Sequence, residues 1–302
     1  MKFVIPVESM AQKKGGVILY DPDKNKILKQ YVHDKKWKYR VGWRGGTVYG
    51  DTLIATDWTD LHFFDLKKWK YIRTFKKSTF NDLHYVRVFR DKLYVVNTGI
   101  DAIEVFNDPL DPKFEELIFV FNRNKELFGK RKIDLNEKYN ERFKVKPHFC
   151  HPNCIEFDKK RIFVTCFEKK GRLNTGEVIE LNSGKRLYEK NYSCHDGNYH
   201  GNDFFLSQTR AAKILVFKDL KNNSIPTKPD QVIPLKKKGW WRGMVVTDDF
   251  IYVFTSFYSP RNITTRMARV NRKNPRKINF IRLPSEEGMH WDTVYQPTLL
   301  EE

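Results

Sequence analysis

Two short runs in this chain carry side chains that could do chemistry together. Cys150-His151-Pro152-Asn153-Cys154 is echoed by Cys194-His195-Asp196-Gly197, and Asn81-Asp82-Leu83-His84 precedes both. Asn81, Asn153 and Asp196 offer amide and carboxylate oxygens, the donors a hard divalent ion such as calcium takes, with water completing the shell. Counting His84, His151, His195 and His200 as donors shifts the choice toward zinc or another transition metal. The same residues also make sense without a metal. A histidine such as His84 or His195 titrates near neutrality and can act as general acid or base, while Arg44 and Arg242, with His151 beside them, orient a carboxylate or phosphate. The residues alone leave both readings open.

Such a cluster needs a scaffold that brings distant segments to one point. In both runs the polar knot is followed by a short strand, a tight turn (Asp158–Arg161 in the first) and a second strand ending in a hydroxyl, Thr165 or Thr209. A third strand comes next, over 177–181 or 213–217, so the unit repeats with a period of about 40 to 50 residues, the spacing of propeller blades. The same plan runs over 45–75, 81–121 and 241–282, each with turn-forming residues between strands. Between 122 and 146 lies a charged insertion, partly helical around Asn136 to Phe143, of the kind that lies over a binding face.

Strand counting predicts closure. The hairpin over 15–33 lacks an innermost strand, and the segment from His290 to Tyr295 is one strand too many. Placing it beside Phe3 to Val7 completes a blade from both chain ends and removes an open sheet edge. The expected fold is therefore all-β: residues 1–302 form a single six-bladed β-propeller closed by N- and C-terminal strands sharing one blade. Aligning the units on their second strands puts Arg44, His84, Asn153, His195 and Arg242 at the start of successive innermost strands, facing the central channel. Trp43, Trp240, Trp241 and Trp291 then fall either beside this pocket or, the commoner use of tryptophan in such a fold, in the seams between blades.

With this pattern the chain resembles the six-bladed propellers of the gluconolactonase, regucalcin and paraoxonase (strictosidine synthase-like) type. Asn81-Asp82, Pro152-Asn153 and Asp196-Gly197 are similar to three elements that in those proteins supply oxygen ligands to one divalent cation, calcium or zinc. The resemblance implies Asn81, Asn153 and Asp196 as metal ligands and a lactonase-like hydrolase. Arg44-Gly45 departs from it, standing where the family has a glutamate ligand, and Leu83 and Cys154 replace two of its glycines.

The formal charge is +19, from 56 Lys and Arg against 37 Asp and Glu. A basic excess of this size suits a polyanion partner, although lysines at hairpin tips stay in water in any case. The opening Met1–Val7 is too short for a signal-peptide core, no apolar run reaches membrane-spanning length, and four cysteines without a secretion signal suggest reduced thiols in a cytoplasm. No Gly-x-Ser-x-Gly, phosphate loop, dinucleotide fingerprint or HExxH motif occurs. Two functions follow as expectations: a metal-assisted hydrolase, lactonase-like, on a small anionic or sugar-derived substrate, or a non-catalytic basic propeller binding a polyanion or protein.

Overall fold

The structure, a computed structural model, describes residues 1–9, 14–33, 42–120, 134–141, 150–158, 161–167, 176–190, 193–220, 228–237, 239–256, 265–284, 293–294 and 296–300. Among these, six antiparallel sheets are arranged as six blades, and the other regular elements are 3-10 turns at Thr98–Ile100 and Tyr139–Glu141. The second turn lies in the insertion, where a helix was expected; residues 142 and 143 of that expectation fall outside the described residues. No helix among the described residues is long and apolar enough to cross a membrane.

Innermost strands in blades two to six are Gly46–Tyr49, Leu83–Phe89, Pro152–Phe157, Cys194–His200 and Trp240–Val246. Each is followed outward by three more strands in sequence order. Outermost strands at Lys185–Lys190 and Gln231–Pro234, which the alternation of residues does not announce, complete blades four and five. Apolar residues of facing sheets fill the seams: Ile54, Phe63, Phe80, Val86 and Phe106 between blades two and three, and Phe205, Val216, Trp241 and Val253 between blades five and six.

Closure occurs as the strand count requires, and goes further. Val294 pairs with Val7, and a second piece, Thr298–Leu300, pairs with Val4 to Lys2. Between these pieces the Gln296 side chain reaches across the axis. Its Oε1 accepts from Gly46 N (2.9 Å) and its Nε2 donates to Val86 O (2.9 Å), tying blade one to blades two and three. Residues 290–292 and 295 of the expected closing strand lie outside the described residues.

Outer edges are protected locally. The outermost strands of blades one and two each carry a β-bulge, leaving Leu28 and Ile72 as the extra residue. Bulges of this kind twist an edge and block pairing with another chain.

Candidate functional site at the channel mouth

A second set of bulges builds the site. At the start of the innermost strand, blades three to six each insert one residue against the second strand. The extra residue is His84 in blade three, Asn153 in blade four and Gly243 in blade six, while His195 and Asp196 span the bulge of blade five. A bulge re-aims the side chains around it, so residues that an unbroken ladder would send into the seams instead face the channel. The register read from sequence holds for His84, Asn153 and His195. In blade six it is one residue off: Gly243, at φ +71°, occupies the bulge, and Arg242 precedes it.

Arg44 is 1% exposed and donates from Nη1 to Asp82 Oδ1 (2.8 Å), with its Nε 3.9 Å from Glu8 Oε2 and its guanidinium 4.7 Å from the Trp58 ring centroid. It is thus engaged within the protein, holding a carboxylate in place. Burial pushes the Asp82 carboxyl up, but the charges of His84, Arg44 and His151 outweigh it and hold the group at about 2. For His84 burial dominates, keeping the imidazole well below its usual range against the pull of Asp82. Arg44, hydrogen-bonded to Asp82, is the permanently charged member of that set. His84 Nδ1 lies 2.8 Å from the Asp82 carbonyl oxygen. A carbonyl only accepts, so the proton sits on Nδ1 and the lone pair on Nε2.

This arrangement sets a pH dependence. The unfolded chain binds a proton at His84 near pH 6.5 and the folded chain does not, so stability is full above that pH and falls as the pH drops below it, by at most ~1.4 kcal/mol per pH unit for one group. Asp82 adds a second loss between its ordinary 3.8 and about 2. Urea denaturation from pH 7.5 to 5 should show the first slope, and His84→Gln should flatten it.

The His151 ring lies 5.0 Å from His84, edge to face, and the His195 ring 6.4 Å from it. The His151 backbone is left-handed (φ +48°) and is fixed by Asp101 of blade three, whose Oδ1 accepts from His151 N (3.0 Å) and Cys150 N (3.3 Å). Asp101→Ala removes that acceptor from buried donors and should cost about 1–3 kcal/mol in thermal melts, with Asp101→Asn recovering most of it. His195 Nδ1 is 3.2 Å from Asp196 Oδ2, and the same oxygen accepts from Gly243 N (2.8 Å) and Ser207 Oγ (3.4 Å). Asp196 therefore pins blade five to blade six, with the His195 ring beside it.

An aromatic wall closes this side. Phe167 lies 5.7 Å from His151, 6.5 Å from His195 and 5.7 Å from Trp240, and the Arg210 guanidinium sits 4.8 Å from the Trp240 ring centroid. Trp240 is thus a pocket tryptophan. Trp43, stacked 5.0 Å from His62, and Trp241 are wholly buried seam residues, and Trp291 lies outside the described residues. His200 is elsewhere, bonded to Asp248 (2.9 Å) at the far end of its strand.

The metal set implied by the resemblance is only partly assembled. Asn153 Oδ1 and Asp196 Oδ1 are buried and accept no hydrogen bond among the described residues, which suits two oxygen ligands. Asn81 donates from its amide nitrogen to Tyr139 O (2.9 Å) and packs against Gly99, so it also fastens the insertion to blade three. Arg44 stands where the resembled family has a glutamate ligand, and no group of three His, Cys, Asp or Glu among the described residues is placed to hold a metal ion.

Further along the inner strands a second polar cluster joins blades three and four. Glu156 is 2% exposed and accepts from Tyr85 Oη (3.1 Å) and Arg87 Nη2 (3.2 Å), and its carboxyl is pushed up by burial, with Arg87 and Tyr85 pulling it back. Sequence reading missed Glu156, Asp101, Phe167 and Gln296. Glu156 stood in plain alternation, two residues after Cys154 on an inner strand. Asp101 and Gln296 had no local signal, since their partners are 50 and 210 residues away.

No protein-family model matches the chain, and no curated protein matches it. Among solved structures it is similar to a chain of a nidogen/laminin complex, with TM-score 0.63 and 9% identity over 98% of this chain and 97% of that one. It is also similar to a luciferin-regenerating enzyme (TM-score 0.57, 11% identity, 80% and 76% covered) and to the β-propeller domain of Myceliophteria thermophila Cps50 (Swd1) (0.54, 10%, 94% and 87%). Likeness at these identities shows the fold alone: this is a six-bladed β-propeller.

Proposed function

We propose that the chain is a hydrolase acting at this mouth on a small ester or lactone that carries an anionic or sugar-derived ring. The observation that supports it most is the convergence of three imidazoles, one of them neutral with its lone pair on Nε2, beside a wall of Phe167 and Trp240. In this reading water adds to the substrate carbonyl carbon while His84 Nε2 takes its proton. The carbon–oxygen bond to the leaving alkoxide then breaks. His195, beside Asp196, returns a proton to that oxygen, and the two imidazoles re-equilibrate through solvent. Arg242 and His151 orient the anionic group, and the ring lies against Trp240.

The test is release of acid from a panel of chromogenic esters and sugar-acid lactones. At least one should be turned over, with His84→Gln and His195→Gln each slowing it by about 10²–10⁴ while the fold is kept. A panel hydrolysed no faster than in buffer, or hydrolysed equally by both variants, sinks the proposal. The non-catalytic reading draws on a different observation, the uneven placement of exposed lysines.

A further inference from the structure

The excess positive charge is not spread evenly over the rim. On the outer turns and outermost strands of the neighbouring blades one and two, Lys24, Lys26, Lys29, Lys67, Lys68 and Lys70 are all exposed. The Lys29 ammonium lies 5.5 Å from the Trp69 ring centroid, which joins the outer strand of one blade to the outer turn of the next. Opposing carboxylates are few and engaged: Asp23 pairs with Arg269 of blade six (3.2 Å), Asp65 and Asp21 accept backbone bonds within their own turns, and Asp65 also lies 4.0 Å from the Lys68 ammonium, leaving Asp51 at a neighbouring turn. Next to these lysines in the chain the two edge bulges push out Leu28, between Lys26 and Lys29, and Ile72, two residues after Lys70, 37% and 51% exposed.

We propose that this part of the rim docks on an anionic phospholipid surface. Lysines flanking protruding aliphatic side chains match the two layers of such a surface, ammonium groups at the phosphates and Leu28 and Ile72 among the upper acyl carbons. A nucleic acid answers the lysines equally well but gives nothing to exposed leucine and isoleucine. It prefers aromatic rings to stack on, and Trp69 is half-buried beneath Lys29. The surface lies at the outer edge, away from the histidine cluster, and its use does not depend on any reaction there.

The experiment is co-sedimentation of the full chain with phosphatidylcholine vesicles, with and without phosphatidylserine, at low and high salt. Binding should need phosphatidylserine and vanish at high salt. The triple variant Lys67→Gln, Lys68→Gln, Lys70→Gln should bind on the order of 100-fold more weakly, at about tenfold or less per lysine. Leu28→Ser with Ile72→Ser should weaken vesicle binding about tenfold and leave heparin binding unchanged. Circular dichroism melts check that both variants fold, and Lys24→Gln with Lys26→Gln replaces the triple variant if it does not. No binding to phosphatidylserine vesicles overturns the proposal. So does unchanged vesicle binding by the Leu28, Ile72 variant, which would mark this part of the rim as a general polyanion surface.

Discussion

Deleting residues 293–302 is expected to leave a chain that is insoluble or melts far below the full-length protein. The deletion strips the innermost strand from blade one, exposing the inner edge of Lys2–Ser9, whose Phe3, Ile5 and Val7 are wholly buried. That edge is an unpaired row of donors and acceptors beside apolar side chains, the kind that templates aggregation. Val294 leaves the blade-one core and Gln296 no longer joins three blades. Gln296→Ala separates the two effects: it keeps the strand and should cost about 1–3 kcal/mol, the penalty for stranding buried backbone groups. Soluble yield and thermal melting measure both, and a truncated chain that melts like the intact one would refute closure by the C-terminus.

Arg44→Ala is the second large effect, expected to cost about 3–5 kcal/mol because it leaves the Asp82 carboxylate buried without its cation. Asp82→Ala strands Arg44 in turn, and the double variant should be much less destabilised than the two losses added together. The two partners lie 38 residues apart at the starts of adjacent inner strands, so the cycle also tests that blades two and three meet at this point. Losses under about 1 kcal/mol for both single variants in urea denaturation would mean that water, not the protein, balances these charges.

The blade plan was legible in the sequence because it is local. Strands such as Lys92–Asn97 and Phe250–Ser256 are short apolar runs, their turns are marked by Asp, Asn and Gly, and the leftover C-terminal strand made closure a matter of counting. The ring of His84, His151, Asn153 and His195 followed from aligning repeats. What the residues do there was not legible. Arg44 looked like a free anion binder, but its partner Asp82 is set by how two blades abut, and Asp82 adopts a left-handed backbone (φ +52°) that no neighbouring glycine announces. Asn81 matched a ligand pattern in type and order, but its contacts with Tyr139 and Gly99 also fasten the insertion. Arg242 was displaced by one residue because bulges add residues that pattern alignment cannot count.

The state of the His84 ring decides whether the mouth can remove a proton from water at neutral pH. Two-dimensional ¹⁵N NMR of the imidazole nitrogens at pH 7, assigned with His84→Gln, reads that state directly. The account predicts a neutral ring, protonated on Nδ1, with an acceptor-type Nε2 shift that persists below pH 6. An imidazolium at pH 7, or a neutral ring carrying its proton on Nε2, would contradict it.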